Sequence, residues 1–157
     1  TTLMEDSSKI MSLKNIKRIF ADCMVRNMCF LVNIGPDRHG NVPEPVEQRL
    51  IEFGNWVNSV SEAIYNTRGG PWQPVDGKYG FCYKCNTVYI YFLGDYAEDT
   101  FVLPPVDNGM KAVNAYNVHT NESIKTSKKG KSILLKGLSL IQNDLTVIAV
   151  VLNKNIR

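Results

Sequence analysis

Residues 12–27, SLKNIKRIFADCMVRN, carry apolar side chains at the spacing of one helical face. Leu13, Ile16, Ile19, Phe20, Cys23 and Met24 make the stripe, and Lys14, Lys17, Arg18 and Asp22 face away. Ser12 stands where an N-cap is needed. The next run, Met28–Ile34, does not alternate. A short unbroken apolar run of this kind predicts a strand covered on both faces, the situation of a parallel sheet. It stops at Gly35-Pro36, and Asp37, Arg38 and His39 follow. A second helix is predicted to start at Pro43 and Pro45, with Glu44 and Glu47 favourably placed in its first turn. Val46, Leu50, Phe53, Val57, Val60 and Ile64 are spaced 4, 3, 4, 3, 4, the clearest periodicity in the chain. Gly54 interrupts that helix at a propensity cost of about 1 kcal/mol, which close packing against a neighbour would explain. The helix should end near Tyr65.

From Gly77 onward the texture changes. YGFCYKC, TVYIYFL, TFVL, MKAVNAY, KSILL and DLTVIAVVL read as strands, separated by turn-like LGDYAED, PPVDNG, TNES, KKG and IQND. Short strands at this spacing predict an antiparallel sandwich or barrel. The Gly- and Pro-rich stretch Arg68–Lys78 marks the boundary. One parallel strand with two helices cannot bury itself, so the first part of the chain reads as the end of a larger α/β sheet or barrel. The predicted fold is therefore α/β followed by all-β: residues 1–68 as the last strand and helices of a (β/α)8-like barrel, 69–78 as a linker, and 79–157 as an antiparallel β-sandwich. Without a covering partner, Phe30, Ile34 and the Val46–Ile64 stripe should be implausibly exposed.

Composition narrows the picture little. Hydrophobic residues make up 44% and charged residues 21% of the 157 positions, enough for a packed core. Eight Lys and Arg face eight Asp and Glu up to Arg68, and ten face seven beyond it. A net charge of +3 spread this evenly gives little reason to expect nucleic acid or an anionic membrane as partner. No apolar run approaches the ~20 residues of a membrane span. The first residues, TTLMEDSSKI, lack the basic and apolar regions of a signal peptide, so the chain reads as a mature product or a piece of something longer. Of the four cysteines, Cys23 and Cys29 are expected to be buried thiols. Cys82 and Cys85 form a C-x-x-C, but in a strand their odd separation puts them on opposite faces, and no second C-x-x-C completes a zinc site.

At this point the motifs carry a resemblance. Leu31–Pro43, LVNIGPDRHGNVP, resembles the L-L-N-I-G-P-x-x-D-G-x-I-P segment of the α-L-fucosidase family of glycoside hydrolases. Arg49-Leu50, Gly54 and Trp56 are similar to its R-L-x-x-x-G-x-W, and Ser61–Trp72, SEAIYNTRGGPW, to its G-E-A-I-Y-G-T-R-P-W. YKCNTVYIYFLG resembles its first sandwich strands. The departures fall in loops. His39 stands where the family has Asp, Asn27-Met28 and Val60-Ser61 stand where it has Asn-Gly, and Gly69-Gly70 replaces or lengthens the step before Pro-Trp.

The resemblance implies a catalytic barrel followed by a sandwich, and retaining hydrolysis of terminal α-L-fucose through a glycosyl-enzyme. Two carboxyl groups ~5–5.5 Å apart do that chemistry. It implies no metal or organic cofactor, a fucosylated glycan as substrate, and a periplasmic, secreted or lysosomal setting. The family's nucleophile, acid/base and fucose-gripping histidines precede the matching blocks. No catalytic residue is therefore assigned, and the chain alone should be inactive, the rest of the barrel coming from another chain or segment. The alternative is a noncatalytic carbohydrate-binding or structural sandwich module.

Active sites of α/β barrels lie at the C-terminal ends of the strands. That places Asn33, Arg38 and His39 as substrate-rim candidates. Asn33 could donate to a catalytic carboxylate or sugar hydroxyl, or else satisfy backbone groups in the turn. Arg38 and His39 could touch the leaving-group sugar, or else belong to a solvated loop. Asp37 is not assigned as a general acid, because the family's catalytic carboxylates belong to earlier strands. Glu62 and Arg68 read as interdomain or capping ion pairs. Trp56 reads as core or interface, and Trp72 as packing the sandwich against the barrel. Tyr79, Tyr83, Tyr89, Tyr91 and Tyr116 read as sandwich core plus exposed rings rather than a sugar-binding face. Lys125, Lys128, Lys129 and Lys131 read as a solvated hairpin that discourages edge pairing, with a polyanion patch as the other reading.

Overall fold

A computed structural model of the chain describes residues 10–106, 109–138 and 145–156. The turn predicted at residues 141–144, part of the one at 104–109 and the N-terminal residues 1–9 lie outside the described residues. Helix α1 is Leu13–Val25, and Ser12 caps it by accepting the Asn15 N–H at 3.3 Å. Helix α2 is Glu44–Ser59, with both predicted carboxylates in its first turn. The predicted single helix breaks at Val60, and a short α3 follows at Ser61–Ile64.

The strands are β1 (Arg68–Gly69), β2 (Tyr79–Lys84), β3 (Thr87–Phe92), β4 (Thr100–Val102), β5 (Ala112–Asn117), β6 (Lys125–Lys129), β7 (Ser132–Lys136) and β8 (Thr146–Leu152). They form a five-stranded sheet, β1-β2-β3-β8-β5, and a three-stranded sheet, β4-β7-β6, and every pairing is antiparallel.

Two-residue alternation sorts the larger sheet into two faces. Phe81, Ile90 and Ile148 stand opposite one another and turn toward the smaller sheet, where Phe101, Ile133 and Leu135 meet them. The neighbouring row of Cys82, Tyr89, Ala149 and Tyr116 turns the other way, toward Ala21, Val25, Trp56, Val60, Ala63 and Ile64. The result is three layers: helices, a five-stranded sheet buried on both faces, and a three-stranded sheet. The chain is thus a mixed α/β fold with antiparallel sheets.

Several expectations need correction. Met28–Ile34 joins no strand, because among the described residues none lies alongside to pair with it. Phe30 and Ile34 are half-buried, since the Phe30 ring packs edge-on against Phe20 at 5.4 Å and tilts against Phe53 at 6.0 Å. Exposure falls instead on Met28 (59%) and Leu31 (89%). The α2 stripe is half-buried at Val46–Val57 and fully buried at Val60 and Ile64, where it reaches the sheet.

Lys17 does not face away. It is 6% exposed, with its stem packed inward and its Nζ 5.6 Å from the centre of the Trp56 ring. Cys29 is exposed rather than buried, because its segment lacks a partner sheet, while Cys23 is half-buried. Gly54 has no atom within 4 Å of where a Cβ would stand, so no close packing among the described residues explains it.

Arg68 and Gly69 already pair with Tyr83 and Cys82, so the sheet begins at the first residues of the Gly/Pro-rich stretch. A Cβ on Gly69 would fall 2.5 Å from the Val25 carbonyl oxygen, which is the close approach that demands glycine there. Trp72 packs edge-on against Phe81 at 5.1 Å, on the inter-sheet side and not against the helices.

Candidate functional site

The predicted rim residues sit at the end of the unpaired segment, between α1 and α2. Met11, Ile16 and Ile19 form one wall of a cleft of about 380 Å³; Phe30–Gly35 form its floor, and Val46, Arg49 and Leu50 its far wall. Asn33 lines this cleft and is exposed. Arg49 reaches it from α2. Its Nη1 lies 3.4 Å from Glu52 Oε2, and its Nε is buried with no hydrogen-bond partner. A buried guanidinium nitrogen left unpaired is costly, so Arg49 belongs among the candidates here. The R-L of its motif signalled the position, and helix periodicity gave it no role.

Beyond Pro36 the chain folds into a tight polar loop. The Asp37 carboxylate accepts from the backbone N–H of His39 at 2.7 Å and of Asn41 at 2.9 Å. The Asp37 N–H donates to the Asn41 carbonyl at 2.8 Å, and the Gly40 N–H to the Asp37 carbonyl at 3.1 Å. The Asn41 N–H, and then that of His39, hold the Asp37 carboxyl below its usual range. Asp37 therefore stays ionised and builds the loop; it is not poised to give up a proton. Arg38 Nε donates to His39 Nε2 at 3.0 Å, which makes that nitrogen the acceptor of the ring. Arg38 and His39 are both exposed and lie together at the tip, separated in the loop from Asn33 on the cleft floor.

A second polar group joins the helices to the sheet. Tyr116 donates its hydroxyl to Glu62 Oε1 at 3.0 Å. The expected ion pairs of Glu62 and Arg68 are absent among the described residues, because this hydroxyl takes the Glu62 carboxylate. Ser59 Oγ donates to the Trp56 carbonyl at 2.7 Å and stands 3.0 Å from His119 Nδ1. With the Ser59 proton committed, His119 is the donor, and the pair is not a nucleophile and its base.

The tyrosines do not gather into a sugar-binding face. Tyr89 and Tyr91 are buried against the helices, and Tyr79 stacks edge-on with Phe81 and Phe101 between the sheets. Burial pushes the Tyr89 hydroxyl up to about 12 and the Cys82 thiol up to about 12. Neither is a nucleophile at neutral pH. Among the described residues no cluster of three His, Cys, Asp or Glu side chains could hold a metal, and no helix is long and apolar enough to cross a membrane.

Comparison with known proteins bears on this arrangement directly. The α-L-fucosidase family model matches residues 3–62, which include the cleft and the Asp37 loop. An α-L-fucosidase of Dictyostelium discoideum is 32% identical over 77 residues, covering 47% of this chain and 16% of that protein. The Thermotoga maritima α-fucosidase in complex with fucose superposes with a TM-score of 0.71 at 22% identity, over 93% of this chain and 36% of that one. The Bacteroides thetaiotaomicron α-L-fucosidase trapped as a covalent intermediate with 2-fluoro-fucosyl fluoride gives 0.75 at 15% identity, over 92% of this chain and 33% of that one. The chain thus spans about a third of the length of the solved structures it matches. Family match, relative and fold agree in direction: residues 3–62 match the α-L-fucosidase family, and the chain is similar to α-L-fucosidases in sequence over 47% of its length and in fold over 93% of it.

Proposed function

We propose that this chain is the C-terminal part of a retaining glycoside hydrolase that releases terminal α-L-fucose from glycans or glycosides. In this reading residues 1–68 close a (β/α)8-like barrel, 69–78 link, and 79–157 form the sandwich that buttresses it. The observation that carries the reading is Met28–Ile34. The run is apolar except for Asn33, it has no strand partner among the described residues, Leu31 is 89% exposed, and an apolar cleft lies beside it. A parallel strand on each edge would pair its backbone, and the barrel wall would cover its side chains. The covalent intermediate of the Bacteroides neighbour supports retention, in which one carboxylate attacks the anomeric carbon and a second group protonates the leaving oxygen. Both carboxylates belong to the portion that precedes this chain. Asn33, Arg38 and His39 serve at the substrate rim, with Arg38 and His39 toward the leaving-group side.

The test is hydrolysis of 4-nitrophenyl α-L-fucoside by the chain alone and by the chain joined to the preceding barrel portion. The chain alone should release nothing. The joined protein should release fucose, and proton NMR should show the α-anomer as first product. Failure of the joined protein to release fucose ends the activity reading, and β-fucose as first product ends retention.

A further inference from the structure

We propose that the cleft at the open edge of the β-sandwich binds a sulfated polysaccharide. Between Gly109 and Leu138 the sequence has six lysines, one carboxylate (Glu122) and no arginine. That excess of five positive charges is larger than the +3 of the whole chain, so the remainder is net −2. Three of those six lysines, Lys111, Lys128 and Lys131, line one cleft at the sheet edges.

The sheets converge there. β5 is the edge of the larger sheet and β6 the edge of the smaller one. Between them a cleft of about 280 Å³ opens, with Lys111, Thr126, Ser127, Lys128, Lys131 and Ser132 in its lining. The register aims two of these inward. Thr126 stands opposite Leu135 and Lys128 opposite Ile133, and both of those β7 residues are buried between the sheets. Directly opposed residues share a face, so Thr126 and Lys128 lie on the inner face, where β6 overhangs the core. Lys154 brings its ammonium beside Gly109 at the same cleft. Among the described residues none of Lys111, Lys128 and Lys131 forms an ion pair.

Edge protection needs only a charge or two on the solvent side of β6. It does not call for the Lys128 ammonium on the inner face of a concave surface beside Lys111 and Lys131, where among the described residues no ion pair offsets their mutual repulsion. The ligand chemistry follows from what is present. Lysine ammoniums are point charges with three donors and suit ester sulfates approached from any direction. The planar arginine fork that pairs a carboxylate through two parallel hydrogen bonds is missing from the described lining. The hydroxyls of Thr126, Ser127 and Ser132 suit sugar hydroxyls. No aromatic ring lines the cleft, so single-stranded nucleic acid would find no stacking platform.

Binding at this cleft does not depend on fucoside hydrolysis, so its test stands apart from that of the activity. The chain should bind immobilised dextran sulfate at about 0.15 M salt, and should not bind neutral dextran. Lys128→Glu/Lys131→Glu should weaken binding by about tenfold or more. Lys14→Glu/Lys78→Glu, the same charge change elsewhere on the molecule, should weaken it by less than about threefold. Lys128→Gln/Lys131→Gln, checked for an unchanged unfolding midpoint, should weaken it in the same direction and guards against a folding effect. Absence of binding to dextran sulfate overturns the proposal. Equal weakening by both glutamate pairs does so too, since that reports net charge alone. Tighter binding to a single-stranded oligonucleotide of matched charge would replace the sulfated polysaccharide with nucleic acid.

Discussion

Tyr91 shows what a single side chain does in this fold. Its ring fills the helix-facing core and its hydroxyl donates to the Ala63 carbonyl at 2.5 Å, tying α3 to the centre of the larger sheet. Burial raises its pKa well above the ordinary value, so it remains a donor into alkaline pH. Thr67 Oγ1 donates to the same carbonyl at 3.2 Å and keeps it from being orphaned. Tyr91→Phe should therefore cost about 1 kcal/mol, read from urea unfolding. Asp37 acts through the backbone instead. Its folded pKa lies below the unfolded one, so its contribution to loop order is fully present above the unfolded value of about 3.9. That contribution is lost as pH falls through the folded pKa. The carboxyl resonance of Asp37 should titrate below that value, and Asp37→Asn should abolish the accompanying shifts at the His39 and Asn41 amides.

Elements report their neighbours through their glycines. Gly80 on β2 lies under α1, and a Cβ there would meet Val25 Cγ2 at 2.5 Å. Gly80→Ala should destabilise the chain by about 1–3 kcal/mol through overpacking. Gly54 on α2 faces open space, and Gly54→Ala should stabilise the isolated chain by up to about 1 kcal/mol through helix propensity. With the proposed barrel in place, that position meets a neighbour and the sign should reverse. Unfolding midpoints of the two substitutions, each measured with and without the proposed preceding portion, separate these outcomes. Motifs and periodicity located α1, α2, β2, β3 and β8 because each carries its own repeat. β6 has no apolar residue, and its five positions are all exposed, so only its pairing with β7 makes it a strand.

At the scale of the whole molecule, the sheet layer is sealed and the helical side carries an open apolar cleft. The sheet layer is sealed on both faces, while Met28 and Leu31 stand in solvent beside the 380 Å³ apolar cleft. The isolated chain should therefore enhance the fluorescence of 8-anilinonaphthalene-1-sulfonate while folded. The joined protein should lose most of that signal, and an equal signal from both would mean that the cleft stays open. The sequence by itself determined the periodic elements, the antiparallel character of the C-terminal strands and the family motifs, because these are written in local spacing. Tertiary structure alone decided that Lys17 is buried over Trp56, that Cys29 is exposed and that Trp72 packs between the sheets. It also decided that Arg49 reaches the cleft and that Lys111, Lys128 and Lys131 line a second one. Burial and convergence depend on which distant segments meet, and no local spacing records that.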